Sequence, residues 1–468
     1  MEQQPAIKAS SALDSLIASA EKLTSGGIRD DIVGGIYGVT ASICREAVAY
    51  RDRGKLKSTH KLDRIVTSKI WGFPIMLSIL GAVFWITIAG ANYPSGWLAS
   101  LFGYIEGYLT AGFQAVGAPE WLHGVLVLGL YRGTSWVISV MLPPMAIFFP
   151  VFALLENFGY LPRVAFNMDR LFKKSGGHGK QALTMSMGFG CNAAAILSTR
   201  IIESPRERML AILTNNFVPC NGRWPTLILL ASLFMAGAAT TGVLKSLTTA
   251  GILMGLVLLG IVVTLTVSWV MSKTALRGVP THYTLELPPY RRPQIWKTIL
   301  VSSKEKSLNV LTRAIVIAAP AGIATWVLGN IVVGGDSVLN HMAAFFDPFA
   351  HLIGLDGYII MAFLLGLPAN EIVLPILMMG YLSSGAMVDV DSLGNIKDIF
   401  LQHGWTWLTA LNMMLFSLLH YPCGTTLVNI YKETKSVKWA VLSAVIPLGI
   451  AIAVTFLVAQ AAYAFGWV

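Results

Sequence analysis

Long apolar stretches dominate this chain, and short polar or basic segments separate them. Several reach the roughly 20 residues that an α-helix needs to cross the hydrocarbon core of a bilayer. The stretches are 71–90, 135–155, 209–234, 252–271, 314–333, 358–382, 405–430 and 440–465. This pattern predicts an all-α polytopic membrane protein.

Two apolar stretches, 181–199 and 358–382, are interrupted by glycine, proline and hydrogen-bonding side chains. The interruptions read Gly188-Phe189-Gly190-Cys191-Asn192 and Gly366-Leu367-Pro368-Ala369-Asn370-Glu371. Aligned on their first glycines, Asn192 and Asn370 fall in register, 178 residues apart (370 − 192). Broken helices at matching places in two halves are typical of transporters built from inverted repeats. We therefore predict two gate repeats with broken, re-entrant helices, the second inverted relative to the first.

The distribution of lysine and arginine predicts the topology of the chain. The segments 92–131 and 334–356 contain neither residue, whereas 272–309 contains seven of them. By the positive-inside rule, the first two segments lie outside and the third lies inside. Basic residues flank 181–199 on both sides, which favours a re-entrant hairpin over a crossing. The predicted order is a cytoplasmic helical arm (1–69, helices 11–23 and 28–53), a first span with an outer amphipathic segment (70–133), the first gate repeat (134–272), a cytoplasmic loop (273–309) and the second gate repeat (310–468).

Composition agrees with a membrane protein and excludes some functions. Of the 468 residues, 55% are hydrophobic and 12% are charged, about half the charged fraction of a soluble domain. The net charge of +10 comes from short patches between apolar stretches, so we predict no nucleic-acid partner. No signal peptide is evident in the first 25 residues, and four cysteines make no disulfide framework. The run Gly176 to Gln181 lacks the glycine and the Ser or Thr of a Walker motif, so no nucleotide site is predicted.

Six side chains in or near the interruptions could hold a metal ion during transport. Thiols suit transition metals, amide and carboxylate oxygens add harder ligands, and an ionisable group inside a membrane is a functional candidate. The candidate metal ligands are Cys191, Asn192, Cys220, Cys423, Asn370 and Glu371. Two structural alternatives stay open: the cysteines as small apolar filler, and Glu371 as an ion-pair partner of Arg223. Cys44, in the arm, is expected to be incidental.

The motifs in combination resemble the bacterial ferrous-iron transporter B family, FeoB. The first gate motif is similar at Gly188 to Asn192, followed by Thr199-Arg200, and the second at Pro368 to Pro375. Further similar runs are 63–74, 159–170, 177–180, 220–225, 285–291 and 422–423. The resemblance covers about residues 28 to 445. It departs at Ala193, where the family usually has proline, and we expect only the membrane portion, without the family's GTP-binding domain.

The resemblance implies uptake of Fe²⁺ across the cytoplasmic (inner) membrane by a multi-pass protein that is not an enzyme. It implies Fe²⁺ as the transported substrate, no permanently bound cofactor, and a separate GTP-binding protein as partner. The lipid bilayer and a second copy of the chain complete the expected partners. Two alternatives stand beside it: a gate-fold transporter of another divalent metal or a nucleoside-like solute, and a non-transporting membrane assembly component.

Overall fold

The computed structural model describes residues 28–47, 61–68, 70–235, 243–278, 290, 294–387 and 396–466. The chain divides into one unit of residues 1–62 and 281–284 and a second unit of 63–280 and 285–468. In the first unit, helix α1 spans Ile28–Ala47, within the predicted helix 28–53. The predicted helix 11–23 and most of the run 285–291 lie outside the described residues.

The first half of the second unit begins with two long helices and continues with shorter ones. Helix α2 spans Gly72–Ala115, and α3 spans Glu120–Phe158 with a π-helical stretch at Gly124–Tyr131. The following helices are α4 (Tyr160–Lys174), α5 (Gln181–Gly188), α6 (Asn192–Ser198), α7 (Pro205–Thr214), α8 (Trp224–Leu230) and α9 (Val243–Lys273). Short 3₁₀ turns lie at Thr199–Ile201, Asn215–Phe217 and Asn221–Arg223, and a π turn at Ala231–Met235 follows α8.

The second half repeats the alternation of long and broken helices. A π turn at Ser303–Ser307 joins α10 to α11, and a two-stranded antiparallel hairpin, β1 (Val332–Val333) and β2 (Asp336–Ser337), follows α11. A 3₁₀ turn at Asn370–Ile372 precedes α14. The helices are α10 (Ile295–Ser302), α11 (Leu308–Asn330), α12 (Val338–Leu352), α13 (Gly357–Leu365), α14 (Val373–Leu382), α15 (Ile396–Gln402), α16 (Trp407–Leu419), α17 (Gly424–Thr434) and α18 (Val437–Ala464).

Within the described residues, five helices are long and apolar enough to cross a membrane, and a bent pair would make a sixth. The bent pair is α12 and α13, whose axes differ by 114°. Both predicted interruptions are present: α5 ends at Gly188 and α6 begins at Asn192, while α13 ends at Leu365 and α14 begins at Val373. The prediction of an all-α membrane fold with broken helices is confirmed.

Two boundaries differ from the sequence prediction. The first apolar span was expected to end near Gly90, but α2 continues to Ala115 with Pro94 inside it. The residues after Gly90 remain mostly apolar and aromatic, and proline is tolerated in helices of membrane proteins. The stretch 405–430 was expected to be continuous, yet it breaks between α16 and α17. Pro422, which has no backbone N–H, lies at that break.

Candidate metal path at the meeting point of four helix breaks

The breaks between α5 and α6 and between α13 and α14 share one backbone geometry. Cys191 is extended, with φ −154° and ψ 118°, and Ala369 is nearly identical, with φ −152° and ψ 123°. In each break an asparagine, Asn192 or Asn370, follows the extended residue and begins the next helical turn. The alignment drawn from the sequence therefore holds at the level of backbone angles.

A second pair of breaks carries the dipeptide Pro-Cys. Cys220 and Cys423 are both extended and precede helical turns, with φ −84° and ψ 170° for the first and φ −61° and ψ 158° for the second. The next backbone N–H then donates to the neighbouring hairpin tip. Asn221 N donates to Gly190 O at 3.1 Å, and Gly424 N donates to Leu367 O at 2.7 Å. Each half thus joins its own two breaks by one backbone hydrogen bond.

All four breaks meet around one small cavity in the second unit. Its volume of about 30 Å³ is enough for one or two atoms the size of a water molecule or an ion. All six predicted ligands line this cavity: Cys191, Asn192, Cys220, Asn370, Glu371 and Cys423. The fold therefore brings together residues that are up to 232 positions apart in the sequence (423 − 191).

The polar groups of the cavity wall are partly engaged with one another. Asn370 Nδ2 donates to Cys220 Sγ at 3.8 Å, which links the second half to the first. Asn192 Oδ1 accepts from Asn215 Nδ2 at 3.2 Å, and Cys423 Sγ lies 3.2 Å from Thr426 Oγ1. Asn370 Oδ1 is buried and has no hydrogen-bond partner among the residues that the structure describes. An orphaned buried oxygen is costly unless an ion or a water completes it, so it is a candidate ligand atom.

Glu371 reaches the cavity from the second half and lies against Gly222 of the first. A Cβ atom at Gly222 would collide with the Glu371 carboxylate, so only glycine leaves room for this approach. Gly190 is similarly restricted, because a Cβ there would enter the ring of Phe148. Both glycines therefore permit side chains from other segments to pack against a helix break.

The alternative of a Glu371–Arg223 ion pair is not what the structure contains. Among the described residues, no ion pair joins these two side chains. Arg223 is 1% exposed and donates instead to oxygens on both sides of the interface between the two halves. These acceptors are Asn216 O (2.8 Å), Leu418 O (2.9 Å), Asn216 Oδ1 (3.1 Å), His420 O (3.3 Å) and Tyr421 O (3.3 Å). Arg223 satisfies carbonyls that the break before α17 leaves without helical partners.

Sequence reasoning missed two further sulfur atoms at the cavity. Met141 and Met145 of α3 line it, whereas Met185, near the first break, is not among its lining residues. The run Met141-Leu142-Pro143-Pro144-Met145 carries no sequence signal that separates these methionines from ordinary core residues, because both prolines lie inside a continuous helix. Thioethers are soft ligands, so the wall offers five sulfur atoms in all.

The ligand atoms are spread around the cavity wall. In the part of the chain that the structure describes, no three His, Cys, Asp or Glu side chains come close enough together to hold a metal ion. Any ion in this cavity would therefore also need amide oxygens, backbone carbonyls or water as ligands.

Comparison with known proteins agrees with this architecture. A family model described as Gate, nucleoside recognition, matches residues 138–234 and 311–437. A second, described as the C terminus of ferrous iron transport protein B, matches residues 253–306. Every residue that lines the central cavity falls within the two Gate segments.

Curated relatives match almost the whole chain. The Fe(2+) transporter FeoB of Staphylococcus aureus is 30% identical over 435 residues, which cover 91% of this chain and 62% of the relative. FeoB of Methanocaldococcus jannaschii is 28% identical over 449 residues, covering 92% and 62%. Over almost its whole length, the chain is similar to FeoB proteins.

The match extends to a fused FeoB relative. The Fe(2+) transport protein A/Fe(2+) transporter FeoB fusion protein of Porphyromonas gingivalis is 29% identical over 472 residues, covering 90% of this chain and 54% of the relative. The chain thus spans a little over half to three fifths of the length of these FeoB relatives. No solved structure matches the chain.

Proposed function

We propose that this chain is a permease for ferrous iron that carries Fe²⁺ through the junction of the two gate repeats in the cytoplasmic membrane. The observation that carries the proposal is the convergence of four helix breaks on one cavity lined by Cys191, Cys220, Cys423, Asn370 and Glu371. The names of the FeoB relatives support iron as the substrate.

An ion that crosses the bilayer must exchange its hydration shell for ligands supplied by the protein. Helix breaks supply such ligands, because their backbone groups are not used in helical hydrogen bonds. The thiols and thioethers favour a transition metal over Mg²⁺ or Ca²⁺, and the carboxylate of Glu371 offsets part of the charge of the ion. Loosely arranged ligands suit transport, since an ion held too tightly would not leave.

Size argues against a nucleoside as the substrate, despite the description of the Gate model. Sites for small organic molecules usually enclose roughly 300 to 1,000 Å³. The central cavity has about 30 Å³, which fits an ion and not a nucleoside. Among the alternatives, another divalent transition metal shares the chemistry of Fe²⁺ and is therefore the one to compare directly.

The test is uptake by the purified full chain in proteoliposomes, with Fe²⁺, Mn²⁺ and Zn²⁺ compared under reducing conditions. We expect Fe²⁺ to accumulate inside the vesicles faster than in protein-free vesicles. Faster uptake of Zn²⁺ or Mn²⁺ than of Fe²⁺ would mean that the chain is a transporter of another divalent metal. Absence of uptake for all three ions, in protein shown to be folded and inserted, would favour the non-transporting assembly component.

We further infer that residues 1–468 do not themselves bind GTP. The run Gly176 to Gln181 lacks the Walker frame, so the purified chain should not bind GTP. Calorimetry with GTP and Mg²⁺ tests this directly. Tight binding by the chain alone would contradict the inference.

A further inference from the structure

Two larger cavities lie beside the end of α2, the start of α3 and the segment 384–387. The first, of about 390 Å³, is lined by Glu120, His123, Gln114 and Asn330, among others. The second, of about 380 Å³, is lined by Glu106, Arg132, Ser135 and Ser139. Ser384 and Ala386 line both cavities, so the two are adjacent. We call them the mouth cavity and the middle cavity.

Helix α3 contributes lining residues to the mouth, middle and central cavities in turn. Gly124 and Leu128 line the mouth cavity, and Arg132, Ser135 and Ser139 line the middle cavity, at spacings of three or four residues that place them on one stripe. Met141 and Met145 of the same helix then line the central cavity. The order along α3 is therefore mouth, middle and centre.

Glu120 and His123 are spaced i and i+3 on α3, so a carboxylate and an imidazole lie on the same side of the helix at the mouth cavity. Carboxylates in Glu-x-x-His spacing bind iron in helical metal sites, because both side chains project in one direction. The amides of Gln114 and Asn330 line the same cavity and could add oxygen ligands.

The imidazole of His123 is held in place by two residues of α2, Thr110 and Phe113. Its Nε2 lies 3.0 Å from Thr110 Oγ1, and its ring packs edge-on against Phe113 with 5.8 Å between ring centroids. A metal-binding histidine usually engages its second ring nitrogen in this way, which fixes the ring and leaves the other nitrogen for the ion.

Electrostatics also favour a cation at the mouth cavity. Residues 92–131 contain no Lys or Arg, and Arg132, the first cation after them, is paired with Glu106 in the middle cavity. In the described part of the chain, no ion pair involves Glu120, which is exposed. Its charge is therefore available to an incoming ion.

From this arrangement we infer that Glu120 and His123 form a capture site for a hydrated divalent transition-metal cation, which then moves along α3 toward the central cavity. The inference rests on the proposed function, because the captured ion is the one that is transported. Nitrogen and oxygen ligands hold the ion at the mouth, and the sulfur-rich cavity receives it after dehydration.

The experiment uses Mn²⁺ as a paramagnetic divalent probe with the full chain in nanodiscs. The electron paramagnetic resonance signal of free Mn²⁺ counts the bound ions, and spin-echo modulation detects an imidazole nitrogen bound to Mn²⁺. We expect nitrogen modulation in the parent protein. The double variant Glu120→Gln/His123→Gln should lose this modulation and should bind one Mn²⁺ ion fewer per chain. Removing direct ligands should weaken binding at least as much as the 10- to 100-fold typical of outer-shell changes.

Two controls make the result specific. Asp336→Asn removes an exposed carboxylate that lines neither cavity, and Cys191→Ser alters only the central cavity; both should keep the modulation. An unchanged ion count and modulation in the double variant would overturn the inference. If the parent shows the modulation but transports no Fe²⁺, the proposed function fails and the capture site stands. If Fe²⁺ is transported without the modulation, the capture site alone fails.

Discussion

The two gate repeats share a backbone and differ in chemistry. Cys191 in the first repeat and Ala369 in the second have almost the same φ and ψ, yet only one carries a thiol. The residues after the paired asparagines differ as well, with Ala193 in the first repeat and Glu371 in the second. A symmetric scaffold therefore delivers a thiol from one tip and a carboxylate from the other to the same cavity.

The two Pro-Cys breaks also share a backbone conformation and differ in their side chains. Three residues after each cysteine stand Arg223 and Thr426 (220 + 3 and 423 + 3). Thr426 contacts the cysteine of its own break, whereas Arg223 reaches across and donates to carbonyls of the other repeat. Arg223 of the first repeat thus stabilises the break in the second repeat by hydrogen bonds. Thr426, at the matching position, makes its contact within its own repeat.

Replacement of Arg223 should have the largest effect on the pairing of the two repeats. Arg223→Met leaves several buried oxygens without donors, and each unsatisfied buried group costs roughly 1–3 kcal/mol. We expect loss of most folded protein, measured by thermal unfolding and size-exclusion chromatography in detergent. Arg277→Met is the matched control, because Arg277 is exposed and, among the described residues, donates to Lys273 O, four residues before it. Equal stability of both variants would show that Arg223 does not hold the repeats together.

Thiol removal tests whether the cysteines are ligands or filler. Serine is nearly the same size as cysteine and a harder ligand, so Cys191→Ser and Cys220→Ser should lower Fe²⁺ uptake about tenfold or more with little change in stability. Glu371→Gln should also reduce uptake. Cys44→Ser, which changes an exposed cysteine of α1, is the control. Uptake at the parent rate in both serine variants would make the cysteines filler.

Moving the thiol between repeats sharpens the comparison. Ala369 lines the central cavity at the position that matches Cys191, so Cys191→Ala combined with Ala369→Cys keeps the number of thiols. We expect this double variant to regain part of the uptake lost in Cys191→Ala alone, measured per inserted protein. No recovery in folded protein would mean that the two tips are not equivalent for the ion.

The features that depend on the local sequence pattern could be predicted from the sequence. Apolar length predicted where most spans lie, although not the end of α2 or the break in 405–430. Glycine with a polar side chain in an apolar stretch predicted the breaks at Gly188 and Gly366. All six predicted ligands line one cavity because the repeat itself brings the breaks together. Met141 and Met145 were missed, because their position at the central cavity depends on how α3 packs against both repeats. The carbonyl partners of Arg223 were missed for the same reason, because they exist only after the break at His420 has formed.

A methyl group at Gly222 tests the close approach of the two repeats with a smaller change. The added Cβ of Gly222→Ala would collide with the carboxylate of Glu371, which lies at the end of a flexible side chain and must turn away. We expect a moderately lower unfolding temperature and reduced uptake, because Glu371 must move. Gly251→Ala is the control, since a Cβ there meets nothing within 4 Å. If Gly222→Ala behaves like this control, Glu371 is free to turn away at no cost.

The smallest effect is expected at the ion pair that ties the first hairpin to α17. Arg200, just after α6, forms a bidentate pair with Glu433 at 2.9 and 2.5 Å, and Asn429 Nδ2 donates to Ala193 O nearby. The matching position in the second hairpin is Met378 (200 + 178), which is fully buried. Methionine carries no charge, so the second hairpin cannot form the equivalent ion pair. The Arg200 side chain is 66% exposed and the Glu433 side chain 6% exposed. Because water and salt screen the arginine, the pair should contribute about 1 kcal/mol. A double-mutant cycle with Arg200→Gln and Glu433→Gln, measured by thermal unfolding at low and high salt, isolates that value. A coupling energy well above this value, and unchanged by salt, would show that the pair is a principal link between the two repeats. The first hairpin would then be held in place more firmly than the exposure of Arg200 indicates.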